Sequence, residues 1–384
     1  MDVGRCSSAR ISLSMAAFLA AILSLVPAQS WPEDALMAPL ATESTLLDIV
    51  KAGERLVVVG EYGHILYSDD LGASWQQARV PTRQMLTAAH FPSPQRGWAV
   101  GHDGLVLATI DGGETWVVQR DGLRHQQKLN QQTLERVVAE IDRHKQRLLL
   151  ASTTEERASL QASLEDLELD LEDAEWALSE PAQAPPLLDV FFVDELRGVA
   201  TGAFNTLLTT ADGGATWEYV AALLHNPDEF HLNAVTGDDR GNLWIAAEGG
   251  LLFRSADGGR SWHSLHSPYG ASWFGIARAP GAGALLVFGL RGTVYRSLDQ
   301  GTNWERVESA TERTVSGGTF LTERYALLAG SVGTLLFSDD GGTSFRERAL
   351  ADRVNLSAAI CAGDDIIAVG QGGIHRDVGF GEAP

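Results

Sequence analysis

Cysteine is almost missing from this chain: 384 residues hold two, Cys6 and Cys361. Cys6 lies in a stretch expected to be removed, which leaves Cys361 alone and excludes an internal disulfide. Cys361 ends the apolar run 356–360, so a buried, inert thiol is expected. Basic residues are also few, 29 Lys and Arg against 50 Asp and Glu, for a net charge of -21 and a pI near 4.8. With no basic stripe, nucleic acid is excluded as a partner. Only one extended apolar stretch occurs, residues 11–26, and it is shorter than the roughly 20 residues of a membrane span. Arg5 and Arg10 precede it and Val26-Pro27-Ala28 follows, the layout of a cleaved export signal over residues 1–28. Cys6 has no lipoprotein-type context. The mature protein is therefore expected to be exported, periplasmic and soluble. His263 and His266 would point to opposite faces of a predicted strand, and no glycine-rich loop opens a helix. No metal, small-molecule cofactor or catalytic residue is expected.

Glycine, by contrast, is abundant, 40 residues, and much of it recurs in one phrase. Its clearest copy is Ser255-Ala256-Asp257-Gly258-Gly259-Arg260-Ser261-Trp262, and further copies occupy 68–75, 109–116, 210–217, 297–304 and 338–345. In each the Asp folds the chain back by bonding backbone N–H groups ahead of it. The Gly supplies positive φ, and the Trp or Phe returns an apolar face to the core. The pairs Asp70 and Trp75, Asp111 and Trp116, Asp212 and Trp217, Asp257 and Trp262, Asp299 and Trp304, and Asp340 and Phe345 are thus read as structural. Upstream of each phrase runs a Gly-rich hairpin between two apolar runs, as in Val59-Gly60-Glu61-Tyr62-Gly63 before Ile65-Leu66-Tyr67. Each unit reads as four short strands. In the second unit they are 86–91, 97–100, 105–109 and 115–119. The closing aromatic returns every 41 to 45 residues, with one gap of 101 between Trp116 and Trp217. Four strands at this period are the mark of a propeller blade.

Six units carry the phrase; a seventh, over 354–360, 365–369 and 373–377, stops one strand short. Ser30-Trp31 matches the start of a fourth strand, so residues 31–37 are expected to complete the last blade and latch the ring. The gap is filled by residues 121–182, which lack Gly after Gly122 and Pro before Pro181. Leu134, Val137, Ile141 and Leu148 keep a helical seam, as do Leu160, Leu164, Leu167, Leu171, Ala174 and Leu178. Two helices, about 124–151 and 154–179, should form an antiparallel coiled coil that projects from the ring. The second is acidic, with Glu165, Asp166, Glu168, Asp170, Glu172, Asp173 and Glu175 outside the seam. That face is either simply solvated or a docking arm, and self-association through the hairpin is a further use open to it.

The expected fold is all-β: a seven-bladed β-propeller of four-stranded blades, closed by an N-terminal strand, with an inserted antiparallel α-helical coiled-coil hairpin. Residues 29–120 would hold the closing strand and blades one and two, 121–182 the hairpin, and 183–384 blades three to seven.

One candidate site emerges from the repeat. Arg83, Arg313 and Arg353 stand 17 or 18 residues before a hairpin Gly, and His231 stands 16 before Ala247. In a ring these positions surround one mouth of the channel. Arginine forks suit carboxylates. Three readings are open: each Arg pairs with a neighbouring acid, the set binds a partner, or it clamps a substrate carboxylate.

The phrase resembles the Asp-box, or bacterial neuraminidase repeat, of sialidase-like propellers. The unit holding Gly97-Trp98-Ala99-Val100-Gly101 and Asp111-Gly112-Gly113-Glu114-Thr115-Trp116 is similar to the photosystem II stability and assembly factor family, over about 320 residues. That resemblance implies an exported, non-enzymatic seven-bladed propeller, an assembly or stability factor or scaffold for a membrane protein complex, with an arginine-rich patch on its client. The 121–182 hairpin departs from the photosynthetic pattern. In a non-photosynthetic host the resemblance implies association with a resistance-nodulation-division exporter. The alternative is a glycan-binding or glycoside-hydrolysing sialidase-like propeller. Against it, no Phe/Tyr-Arg-Ile-Pro motif stands near the mature N-terminus.

Overall fold

The computed structural model describes residues 33–281 and 283–377. The signal segment 1–28 and Ser30-Trp31 lie outside the described residues. Seven antiparallel sheets follow in chain order, at 46–77, 86–120, 187–219, 232–264, 273–307, 315–349 and 356–377. Six have four strands, and the seventh has three among the described residues. Each sheet is built in sequence order, so every strand pairs with its chain neighbour. Together they form a seven-bladed, mostly four-stranded β-propeller with an inserted helical hairpin.

Burial explains the strand sequences. The second strand of each blade is packed on both faces by adjacent blades, so it reads as a continuous apolar run rather than an alternating one. Gly97–Gly101, Leu243–Ala247, Leu285–Gly289 and Ala326–Gly330 are buried at every position. Neighbouring blades share cores, as where Val57 and Val59 meet Leu86, Leu107 and Trp116. The seventh and first sheets do the same through Ile360, Ile367 and Val369 against Leu46, Ile49 and Leu66. The first strands are innermost, and residues from all seven line a central cavity of about 370 Å³.

Each repeated phrase is the loop between a third and a fourth strand. Ser255 Oγ accepts the Gly259 N–H at 2.9 Å, Asp257 Oδ1 accepts the Ser261 N–H at 2.9 Å, and Asp257 Oδ2 accepts the Ser261 hydroxyl at 2.6 Å. Trp262 Nε1 donates to the Gly259 carbonyl at 3.1 Å. The hydroxyl of Ser74 on Asp70 and that of Ser261 on Asp257, with backbone donors beside them, hold both carboxyls down at about 2.

The latch departs from expectation over its described part. Residues 33–37 form no strand. They lie along blade one instead: Ala35 N–H donates to the Val80 carbonyl at 2.9 Å, and Gln77 Nε2 donates to the Leu36 carbonyl at 2.8 Å. The Gln77 side chain also accepts the Ala38 N–H at 2.9 Å. One amide satisfies both a donor and an acceptor of this segment, which removes its need for a ladder partner.

Between blades two and three, α1 spans Gly122–Leu150 and α2 spans Thr154–Ser179. Asp121 caps the first, with Oδ1 accepting the Arg124 N–H. Thr153 caps the second, and Glu156 reaches back to the Ser152 N–H. Val137, Ile141 and Leu164 form the buried seam with Leu167 and Leu171 beside them, a coiled-coil pairing. The chain divides into two compact units, one of 34–126 with the segment from Gln183 onward, and one containing Gln127–Ala182. Gly122 lies against Asp103, Gly104 and Ala184, so the insertion leaves and returns at one spot on the ring. We propose that 121–182 is separable. Replacing 123–182 with a short Gly-Ser linker should preserve cooperative thermal unfolding of the β-structure while the helical circular dichroism disappears. Loss of the cooperative transition would make the hairpin part of the ring core.

Candidate partner-binding rim

Register fixes one face of the ring. The first residue of each innermost strand pairs with the last of the second strand, as in Leu86 with Gly101, Leu232 with Ala247, Val315 with Gly330 and Leu356 with Gly370. The connections entering the inner strands therefore share a rim with the turns between second and third strands. Arg83, His231, Arg313 and Arg353 all sit on these connections.

Their states differ. Arg313 Nη1 lies 2.9 Å from Glu347 Oε1 and donates to Thr334 Oγ1 at 3.3 Å, so an acid already neutralises it. His231 Nδ1 accepts the Phe204 N–H at 3.1 Å, and its ring packs edge-on to Phe204 at 4.8 Å. Its own N–H donates to Glu248 at 3.1 Å. His231 is thus a joint between blades. Arg83 is exposed and donates from Nε to the Asp34 carbonyl at 3.1 Å. Arg353 is exposed, at positive φ of 50°, and its guanidinium has no hydrogen-bond or ion-pair partner among the described residues.

The tips of the turns were not singled out from the sequence. Tyr62, Asp103, Phe204, Arg291 and Val332 hold φ between 51° and 60° there, while Gly249 and Gly372 occupy the same place in other blades. A left-handed conformation costs an L-residue about 1–2 kcal/mol, and for a β-branched residue such as Val332 it is an outlier. Tyr62 and Phe204 are 62% and 59% exposed, so core packing does not account for keeping them. The exposed Arg291 has no side-chain partner among the described residues. It borders a cleft of about 880 Å³ with Arg306, Glu308 and Glu312. Aligning the repeats on their second glycine would have exposed most of these positions, since Tyr62, Asp103, Arg291 and Val332 each stand just before it, while Phe204 stands before Asn205.

Contacts order the basic groups along the rim. Gly292, next to Arg291, abuts Thr311, whose hydroxyl accepts the Arg313 N–H; Gly333, next to Val332, abuts Arg353. Arg291, Arg313 and Arg353 thus follow one another over blades five to seven. The joint of blades seven and one, carrying Glu43, separates them from Arg83.

The central cavity holds a different chemistry. Asp48 accepts N–H groups from Ile49 at 2.8 Å and Ala89 at 3.0 Å. Asp189 accepts from Val190 and Val235, both at 2.8 Å. Each carboxylate ties its own strand to the next blade. Burial pushes Asp48 up to about 6 and Asp189 up to about 7, the latter helped by the charge of Asp48. Burial pushes His90 down to about 4, and its Nδ1 accepts the Phe192 N–H at 3.2 Å. Among the described residues lining this cavity there is no Tyr, Glu or Arg, the types a sialidase-like site needs. No group of three or more potential metal ligands occurs among the described residues.

The sequence model of the family described as "Photosynthesis system II assembly factor YCF48" matches residues 69–141 and 170–311, more than half of the chain. The chain is 34% identical over 137 residues to the photosystem II assembly lipoprotein Ycf48 of Synechococcus sp. (strain CC9902), covering 34% of this chain and 38% of that one. It is 30% identical over 207 residues to the photosystem II assembly protein Ycf48 of Thermosynechococcus vestitus, covering 43% and 59%. These alignments thus span less than two thirds of either relative. Among solved structures, "YCF48 bound to D1 peptide" is similar at a TM-score of 0.58 and 17% identity, covering 90% of this chain and 98% of that one. "YCF48 from Cyanidioschyzon merolae" is similar at a TM-score of 0.57 and 16% identity, with the same coverages.

Two predictions follow from rim and cavity. Native Asp189 keeps its proton at pH values where the unfolded side chain has lost it. Its contribution to stability therefore falls as pH rises from about 4 to about 7. The unfolding midpoint should be higher near pH 5 than near pH 7.5, with a smaller difference in Asp189→Asn; an unchanged difference would remove Asp189 from this account. Val332→Gly relieves the left-handed strain against a smaller entropic loss, and should stabilise by about 0.5–1 kcal/mol in denaturant titration. A loss of stability would show that the Val332 side chain packs to advantage.

Proposed function

The chain belongs to the photosynthesis system II assembly factor YCF48 family, and from that membership we propose that it holds a segment of a membrane protein on its rim. At the level of the family this is a non-enzymatic propeller acting as scaffold or assembly factor. The observation that carries the reading here is the arc of Arg291, Arg313 and Arg353 beside exposed side chains kept in strained turns. Strain retained where glycine would fit points to use of the displayed group. An arginine arc in an acidic protein selects an acidic segment or a free carboxylate terminus. The similar solved YCF48 is bound to a D1 peptide, which supports a peptide segment of a membrane protein as the ligand class.

The client itself is the finer part of the proposal. The family match leaves out 142–169, the distal part of the hairpin, so this chain carries an element beyond the shared pattern. That favours a client other than photosystem II, and a resistance-nodulation-division exporter is the candidate for a non-photosynthetic host. Exported, periplasmic location rests on the 1–28 signal pattern. Among the described residues no helix is long and apolar enough to cross a membrane.

Arg291 and Arg353 make no side-chain bonds among the described residues, so replacing both with Ser should leave the unfolding midpoint unchanged. Recovery of the membrane client from detergent-solubilised membranes should fall tenfold or more. Undiminished recovery by a well-folded double variant would overturn the rim as the binding surface. Mass spectrometry of the recovered client separates photosystem II from an exporter.

A further inference from the structure

The second helix of the hairpin has two faces. Its seam, Leu160, Leu164, Leu167, Leu171, Ala174 and Leu178, turns toward α1. At roughly 100° per residue the opposite side carries Ala158, Ala162, Leu169 and Trp176 in one line. All four are exposed, Leu169 by 62% and Trp176 by 66%. This apolar line runs for about 27 Å at a rise of ~1.5 Å per residue. Glu165 and Glu172 flank it on one side, and Asp166 and Asp173 on the other, each about 40–60° away on the wheel. None of these four carboxylates has an ion pair or hydrogen bond among the described residues. Elsewhere on the hairpin, surface acids do find partners, as Glu140 does with Arg136 and Arg143.

We propose that this ridge docks an amphipathic helix of a partner protein that bears Lys or Arg rows on both sides of an apolar stripe. The two features support this jointly. An exposed Trp beside Leu on a helix face is the composition of an interface anchor, and both would lose their contact with water at a helix-on-helix contact. The carboxylate rows repel one another while uncovered; cationic rows at the same spacing would relieve that repulsion and set the partner's orientation. A second copy of this chain fits poorly, because two-fold pairing through the ridge would oppose carboxylate rows to carboxylate rows. The ridge lies on the hairpin alone, so the inference stands apart from the rim and does not depend on it.

The test uses the whole protein and a fluorescein-labelled helical peptide of Leu and Lys with an amphipathic period, against a peptide of the same composition with the period scrambled. Anisotropy should show tighter binding of the amphipathic peptide, weakening steeply with salt. Leu169→Ser with Trp176→Ser should reduce affinity tenfold or more. Replacing Glu165 and Glu172 with Gln and Asp166 and Asp173 with Asn should also reduce it and flatten the salt dependence. Both sets of substitutions are remote from the seam, so helical circular dichroism should be unchanged. The Arg291→Ser, Arg353→Ser variant should bind the peptide as the native protein does, which separates failure of the rim from failure of the ridge. Equal binding of the scrambled peptide would reduce the ridge to a plain polyanion and overturn the proposal, as would undiminished binding by the Leu169 and Trp176 variant. Sedimentation showing a native dimer that these two substitutions dissociate would assign the ridge to a second copy, and would overturn it too.

Discussion

The ring depends on a contact in which there is no room for a side chain. At the turn after the second strand, in six of the seven blades, a glycine lies against the connection that enters the next blade, and Asn205 takes its place in blade three. A Cβ on Gly63 would collide with the Thr82 carbonyl, on Gly250 with that of Tyr269, and on Gly292 with that of Thr311. The same joint recurs where the last blade meets the first: a Cβ on Gly373 would collide with the Thr42 carbonyl. These glycines sit at φ between 65° and 96°, which L-residues rarely adopt. Once the turn is set this way, the preceding residue is carried into the left-handed region as well. The packing of blades thus decides that seven turn tips stand on one rim, whatever side chains occupy them.

Around the inner wall the blades are joined in two ways. From blade one to blade five, polar side chains reach across: Asp48 to Ala89, Thr87 to the Leu187 carbonyl, Asp189 to Val235, Asn233 to the Trp273 carbonyl. Buried backbone groups need such partners, and the consequence is carboxylates held at raised pKa along a narrow cavity. Over blades five to seven, Gly318 of blade six lies close under the Phe288 ring of blade five, and Gly317 leaves room for the Ser357 carbonyl of blade seven. The basic arc of the rim lies on the blades joined by these close approaches.

What the sequence made legible was local. The repeated phrase contains its own donors and acceptors, so its loops could be read residue by residue. The strands of the second unit, expected at 86–91, 97–100, 105–109 and 115–119, occur at 86–90, 97–101, 105–109 and 117–120. The helices, expected at about 124–151 and 154–179, occur at 122–150 and 154–179, because Asp121 and Thr153 cap them from adjacent positions. Partners chosen from far along the chain were not legible. Residues 33–37 settle on blade one through the Gln77 amide, not as a fourth strand of blade seven. Arg313 faces Glu347 34 residues away, and His231 bonds the Phe204 backbone 27 residues back. The position of Arg291 is marked in the sequence only by the turn glycine that follows it, and its exposure follows from blade packing.

A net charge of -21 does not spread evenly over such a molecule. The six phrase aspartates are held by hydroxyl, amide and backbone donors of their own loops. Glu347 is engaged by Arg313, and Glu61 by the Thr45 N–H. Seven further carboxylates crowd between Glu165 and Glu175 of the second helix. Arg291 and Arg353 add positive charge at the rim that no acid of the described residues pairs with, whereas the second helix of the hairpin concentrates negative charge. Ligands of one sign cannot suit both surfaces. An acidic segment drawn to Arg291 and Arg353 is repelled by the helix, and a cationic helix that suits Leu169 and Trp176 gains nothing at the arginine arc. If both surfaces are used, they engage different segments, one acidic and one cationic.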